Sequence, residues 1–152
     1  MNILKHHWHN TGCRFTNPRY FANHFGYKPI NFSGVSGYAV MRRALPTDWP
    51  ERFDLTARLK GSGAVNDLQF KLVDASGDNV WWVNRPNTVL PAALTETKFR
   101  RRHIQFAWGP AADKSLRRTQ FVEFVIAAGR DGGKGALCVA RLRDEQRRTC
   151  CS

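Results

Sequence analysis

Trp81 and Trp82 stand side by side at the end of the run LQFKLVDASGDNVWW, Leu68 to Trp82. A flat indole face suits the apolar face of a pyranose ring, and planar polar groups suit its vicinal hydroxyls. Adjacent residues on a strand point to opposite sides, so one tryptophan is expected in a core and the other on an open face. Trp82 shares its parity with Val80 and Asn84, and an asparagine argues against deep burial. That assigns Trp81 and Val83 to the core and Trp82 to the open face. In the preceding strand Leu68, Phe70 and Leu72 form an apolar stripe, with Gln69 and Lys71 opposite it. The run RRRHIQFAWGP, Arg100 to Pro110, adds Arg102 and Trp108, which a regular strand would place on one side; a bulge at Ala107 would break that phase. The candidate ligand face is therefore Gln69, Lys71, Trp82, Arg102 and Trp108. Each has a structural alternative: the tryptophans as core, Gln69 and Lys71 as solvated strand residues, and the arginine run as an edge guarded by charge.

Other chemistry is weakly encoded. The sequence contains neither G-x-S-x-G nor H-E-x-x-H. A glycosidase needs two carboxyl groups across the scissile bond, whereas Asp74, Asp78, Asp113 and Asp131 fall at turns. Glu123 is the one acid inside an apolar strand, where pairing with a base or facing a ligand groove accounts for it better than catalysis. No enzymatic activity is expected. His6, His7 and His9 around Trp8 could converge on a transition metal, but no acid or thiol lies close by to complete the site. Asp74 and Asp78 could hold calcium, yet a simple side-chain-bonded turn around Ser76-Gly77 explains them without an ion. No cofactor is expected. The glycine-rich GRDGGKG, Gly129 to Gly135, lacks phosphate-loop spacing and precedes a strand, so it reads as a turn. Cys13, Cys138, Cys150 and Cys151 contain no C-x-x-C pair.

Short strands must position these residues. Phe53, Leu55, Ala57 and Leu59 alternate with Asp54, Thr56, Arg58 and Lys60, the period of a half-buried strand. Further strands are expected at Tyr38–Ala44 (closed by Pro46), Leu68–Val73, Asn79–Asn84, Thr97–Trp108, Phe121–Ala128 and Ala136–Leu142, with a loop over Arg85–Glu96. No amphipathic helix competes with them, which points to an all-β sandwich or barrel. Residues 1–33 show no aliphatic periodicity and are expected to form a loosely ordered arm. The sandwich is expected over 34–145 and a frayed tail over 146–152.

Three pieces, Leu68 to Trp82, Arg100 to Pro110, and FVEFVIAAGRDGGKGALCVARL at Phe121 to Leu142, recur in the same order in bacterial carbohydrate-binding-type domains. The chain resembles these galactose-binding-like, discoidin-like (coagulation factor 5/8 type) accessory domains of glycoside hydrolase-like proteins over roughly Gly37 to Leu142. The resemblance implies a jelly-roll β-sandwich, a non-catalytic role, a carbohydrate or polysaccharide partner and an extracytoplasmic setting. The closing strand departs from the pattern: Cys138, Val139 and Ala140 stand where an aromatic and an Asp are usual. Residues 1–33 also do not look like the family's opening strands.

The chain has 152 residues, enough for one domain with a buried core. No apolar run approaches a membrane span, and Met1 to Asn10 has no signal-like apolar stretch. With 24 Lys and Arg against 12 Asp and Glu, polyanions are the competing partners: a basic nucleic-acid-binding β domain is the alternative reading. No RNP, helix-turn-helix or zinc-finger signature supports it. A nonfunctional fragment of a glycoside hydrolase-like protein is the bland alternative. The sugar, the compartment and the oligomeric state are not encoded in any pattern of the sequence.

Overall fold

A computed structural model describes residues 17–32, 37–129 and 132–146, with side chains described over 27–32, 37–129 and 132–144. The alternating segment 54–62 becomes a strand whose Leu55, Ala57 and Leu59 are almost wholly buried. The other strands arise in the same way, each giving one face to a shared core. In chain order they are β1 (Asn17–Phe32), β2 (Tyr38–Asp48), β3 (Asp54–Ser62), β4 (Asn66–Val73), β5 (Val80–Thr88), β6 (Thr95–Arg100), β7 (Gln105–Trp108), β8 (Arg118–Ala127) and β9 (Gly133–Gln146). Two antiparallel sheets result, one of four strands in the order β1-β9-β3-β6 and one of five in the order β2-β8-β4-β5-β7. Among the described residues the only helical piece is a single 3-10 turn, Arg101–His103.

The sheets meet across an aromatic centre. Phe70 of β4 stacks on Phe99 of β6 at 4.6 Å between ring centroids and meets Phe124 of β8 edge-on at 5.3 Å. Leu55, Leu59, Leu72, Val122, Leu137, Val139 and Leu142 close the core around them. At one end Trp49 stacks on Phe53, and its indole N–H donates to Thr119 Oγ1 at 2.8 Å, so the buried polar edge of the ring is satisfied.

Five elements differ from the sequence reading. Asn17–Phe32, expected in a loose arm, forms β1 and pairs with β9 from Asn17↔Gln146 to Phe32↔Gly133. The ladder satisfies its backbone, and Ile30 among its described side chains is buried. The four-stranded sheet thus begins at Asn17, not at residue 34; residues 1–16 lie outside the described residues, and with them the His6–His9 cluster. β9 extends beyond Leu142 to Gln146, because β1 and β3 flank it on both sides. β2 passes through Pro46 instead of ending there: the register with β8 shifts between Ala44 and Thr47, and that bulge absorbs the missing N–H. β5 likewise continues through Pro86 to Thr88, beyond Trp82, the last β5 residue paired with β7. The expected strand 97–108 is divided. Its first half lies in the four-stranded sheet and its last four residues in the five-stranded one, with the 3-10 turn crossing between them.

Candidate ligand face of the five-stranded sheet

β4 is the central strand of its sheet. With Leu68, Phe70 and Leu72 in the core, Gln69 and Lys71 point to the outer face. Trp81 and Val83 of β5 are buried, and Trp82 and Asn84 take the outer face, as the alternation dictates. The Trp81 indole N–H donates to the carbonyl of Lys114 at 2.8 Å, which anchors the ring inside. On β7 the register shifts between Val80 and Trp81, placing Trp108 opposite Val80 and back on the outer face. The result is an edge-on pair of indoles, Trp82 and Trp108, with centroids 5.4 Å apart, and Trp108 is 46% exposed.

Lys71 binds this aromatic pair to a line of charge. Its ammonium lies 5.0 Å from the Trp108 ring centre and 5.9 Å from that of Trp82. In register it sits between Trp82 and Glu123, and Glu123 in turn faces Arg42 of β2. Arg42 Nε donates to Glu123 Oε1 at 2.6 Å, and the guanidinium also lies over Phe121 at 4.7 Å. One row, Arg42–Glu123–Lys71–Trp82–Gln105, therefore crosses all five strands. Four inter-strand gaps make it about 19 Å long. The next row contains Val40, Val125, Gln69 and Asn84. Gln69 is only 7% exposed, and its Oε1 accepts no hydrogen bond. A buried, unsatisfied acceptor of this kind is costly unless a ligand or water completes it.

Burial makes the Lys71 ammonium less favourable and lowers its pKa from the usual 10.5; the Glu123 carboxylate opposes the shift without cancelling it. Folded Lys71 therefore holds its proton less tightly than Lys71 of the unfolded chain. Between the depressed value and 10.5 the unfolded chain carries the extra proton, so this residue's contribution to stability rises with pH across that window. The expected result is that Lys71→Met gains stability over the parent at about pH 7 and that this advantage shrinks toward about pH 10.5. Urea unfolding at the two pH values measures it; an advantage that grows with pH contradicts the placement.

Four of the five sequence-derived residues, Gln69, Lys71, Trp82 and Trp108, share this face. Arg102 does not. The 3-10 turn breaks the strand phase that joined it to Trp108, and Arg102 instead lines a separate cleft of about 440 Å³ at the sandwich end, with Arg52, Arg100, Arg101, Glu51 and Asp54. Its Nε contacts His103 Nε2 at 3.2 Å. Sequence reasoning passed over Tyr38 and Arg42, which lie on the outer face at the far side, Tyr38 being 70% exposed. The signal was present in the alternation of Tyr38, Val40 and Arg42 against Ala39 and Met41. In the β4–β5 turn, Asp74 accepts from Ser76 Oγ at 2.6 Å and from Asn79 Nδ2 at 2.7 Å. Partial burial works against its ionised form, but donors on Ser76, Asn79 and Gly77 outweigh it and hold the carboxyl below its ordinary value. Its oxygens are thus engaged by the turn itself.

No family model matches the chain, and no curated protein matches it. Solved structures do. The family 11 carbohydrate-binding module of Clostridium thermocellum, solved with a β-1,3-1,4-mixed-linked tetrasaccharide, superposes with a TM-score of 0.55 at 14% identity, covering 89% of this chain and 91% of that one. The family 11 module of the cellulosomal cellulase Lic26A-Cel5E of the same organism gives 0.54 at 11% identity, covering 89% of each. The chain has the β-sandwich fold of these carbohydrate-binding modules. Both superpositions cover nearly the whole of each partner, so the likeness extends to both sheets rather than to one shared hairpin. At such identity the likeness is one of architecture; the site rests on the side chains described above.

Proposed function

We propose that the chain is a non-catalytic carbohydrate-binding domain that takes a polysaccharide along the outer face of its five-stranded sheet. The observation that carries this reading is the Trp82–Trp108 pair, partly open to solvent, with the unsatisfied Gln69 Oε1 one register row away from Trp82. The indoles offer faces and edges to the CH-rich side of a sugar ring. Gln69, Asn84, Gln105 and the Lys71 ammonium supply donors and acceptors for its hydroxyls. Glu123, the acid that a hydrolytic reading would need, is bound to Arg42 and 7% exposed, which suits a structural charge rather than a proton donor to substrate. The fold shared with carbohydrate-binding modules, one of them solved with a β-1,3-1,4-mixed-linked tetrasaccharide, supports the same reading and makes a polysaccharide of that linkage, mixed-linkage β-glucan, the first probe.

The test is calorimetric titration of the whole chain with mixed-linkage β-glucan at low and high salt. Binding is expected to change little with salt, because no phosphate or other fixed ligand charge is neutralised. The double variant Trp82→Ala/Trp108→Ala is expected to lose at least about tenfold in affinity, some 1.4 kcal/mol, while keeping a cooperative unfolding transition. Unchanged affinity in the folded double variant would remove the aromatic pair from the site.

A further inference from the structure

The four-stranded sheet has a site of its own on its outer face. Thr56 and Arg58 of β3, Glu96 of β6, and Arg141 and Arg143 of β9 line a pocket of about 140 Å³. Three arginines face one acid, and that acid is committed: Glu96 Oε2 receives Arg143 Nη2 at 3.2 Å. Neither Arg58 nor Arg141 forms an ion pair among the described residues, although Glu96 stands opposite Arg58 in the β3–β6 register. Thr56 is 1% exposed, and its hydroxyl has no hydrogen-bond partner. Arg141 holds a left-handed backbone, φ 52°, where the register between β3 and β9 shifts between Thr56 and Arg58. A side chain other than glycine is disfavoured in that conformation, so the fold bears a cost to place an arginine there.

We propose that this pocket binds the sulfate ester of an acidic polysaccharide. The proposal rests on the carbohydrate reading of the chain but uses the opposite sheet. Guanidinium groups carried by β3 and by two positions of β9 line one pocket, and several such groups suit the several oxygens of a sulfate better than the two of a carboxylate. The Thr56 hydroxyl gains its missing partner from a sulfate oxygen. A polymer is favoured over a free ion because the basic surface continues along the same strand faces. Arg58 on β3 and Lys98 and Arg100 on β6 lie on this outer face and lead to the cleft at the sandwich end, where Arg52, Arg100, Arg101 and Arg102 outnumber Glu51 and Asp54. A sulfated chain anchored in the pocket meets further cations there, whereas inorganic sulfate does not.

The experiment measures binding of the full chain to dextran sulfate, unsulfated dextran of equal length, inorganic sulfate and a single-stranded oligodeoxynucleotide, all at one salt concentration. Dextran sulfate is expected to bind best. Arg141→Gly removes the guanidinium and relaxes the left-handed backbone, so it is expected to weaken dextran sulfate binding about tenfold or more without lowering the melting temperature. Arg58→Gln is expected to act in the same direction. Lys60→Gln/Lys134→Gln removes two charges elsewhere on the same sheet, and is expected to change affinity less than about twofold. Equal losses in this control would reduce the effect to net charge and overturn the site. So would retained affinity in Arg141→Gly, or inorganic sulfate binding as tightly as the polymer, or an oligonucleotide doing so. Mixed-linkage β-glucan binding is read in the same variants: its retention with loss of dextran sulfate separates the two faces, and its absence in the parent sinks the neutral-glycan reading without touching this one.

Discussion

Trp81→Ala is expected to destabilise the domain by about 3–5 kcal/mol, while Trp82→Ala, its neighbour, costs about 1 kcal/mol or less. Trp81 is 5% exposed, meets Phe106 edge-on at 5.5 Å, and gives its indole N–H to the carbonyl of Lys114. Truncation opens a cavity between β5 and the segment leading to β8, and it orphans that carbonyl. Trp82 lies on the outer face, where its loss removes the edge contact to Trp108 and part of the setting of Lys71 but leaves the core intact. Urea unfolding curves of the two variants, read at constant slope, give the two values. A stable Trp81→Ala beside an unfolded Trp82→Ala would invert the two faces of β5 and take the ligand face with it.

Glu123→Gln is the second large effect, with an expected loss of about 2–3 kcal/mol. Its carboxylate is the one negative charge in the row across the five-stranded sheet, between Arg42 on one side and Lys71 on the other. Removing the charge leaves two cations facing a neutral amide that is largely shut off from water. The full cost of a broken buried pair is not reached, because the Arg42 side chain is 47% exposed and water screens it. A double-mutant cycle with Arg42→Met isolates the pair: the coupling between the two changes is expected to be about 1–2 kcal/mol. Additive behaviour would mean that the 2.6 Å contact contributes nothing beyond its geometry. The same variants bear on function. Glycan affinity is expected to fall in Glu123→Gln through displacement of Lys71, and in Arg42→Met much less.

Several of these features were legible in the sequence because a strand repeats every two residues. The stripe Phe53-Leu55-Ala57-Leu59, the stripe Leu68-Phe70-Leu72 and the opposite facing of Trp81 and Trp82 need only that period, and all appear in the structure. From them follow the all-β class and four of the residues that meet on one sheet face. Parity fails where the chain leaves its strand. Arg102 and Trp108 share a parity, yet the turn at Arg101–His103 carries the chain from one sheet to the other, and the two residues end on different surfaces. Parity also holds no record of which strands are neighbours. Glu123 meets Arg42 across 81 positions of sequence, and Lys71 meets Trp108 across a third strand, because the order β2-β8-β4-β5-β7 places them side by side.

The same limit explains β1. Asn17–Phe32 has no aliphatic period to announce it, and its strand exists because β9 offers an unpaired edge of matching length. A backbone ladder is sequence-tolerant, so it leaves little trace in residue types. The sequence by itself determined the apolar alternation, the turns and the residue chemistry of the candidate face. Only the tertiary structure decided the strand order, the partner of each charge and the edge that gives β1 its place, since these depend on contacts between residues far apart in the chain, which no local period encodes.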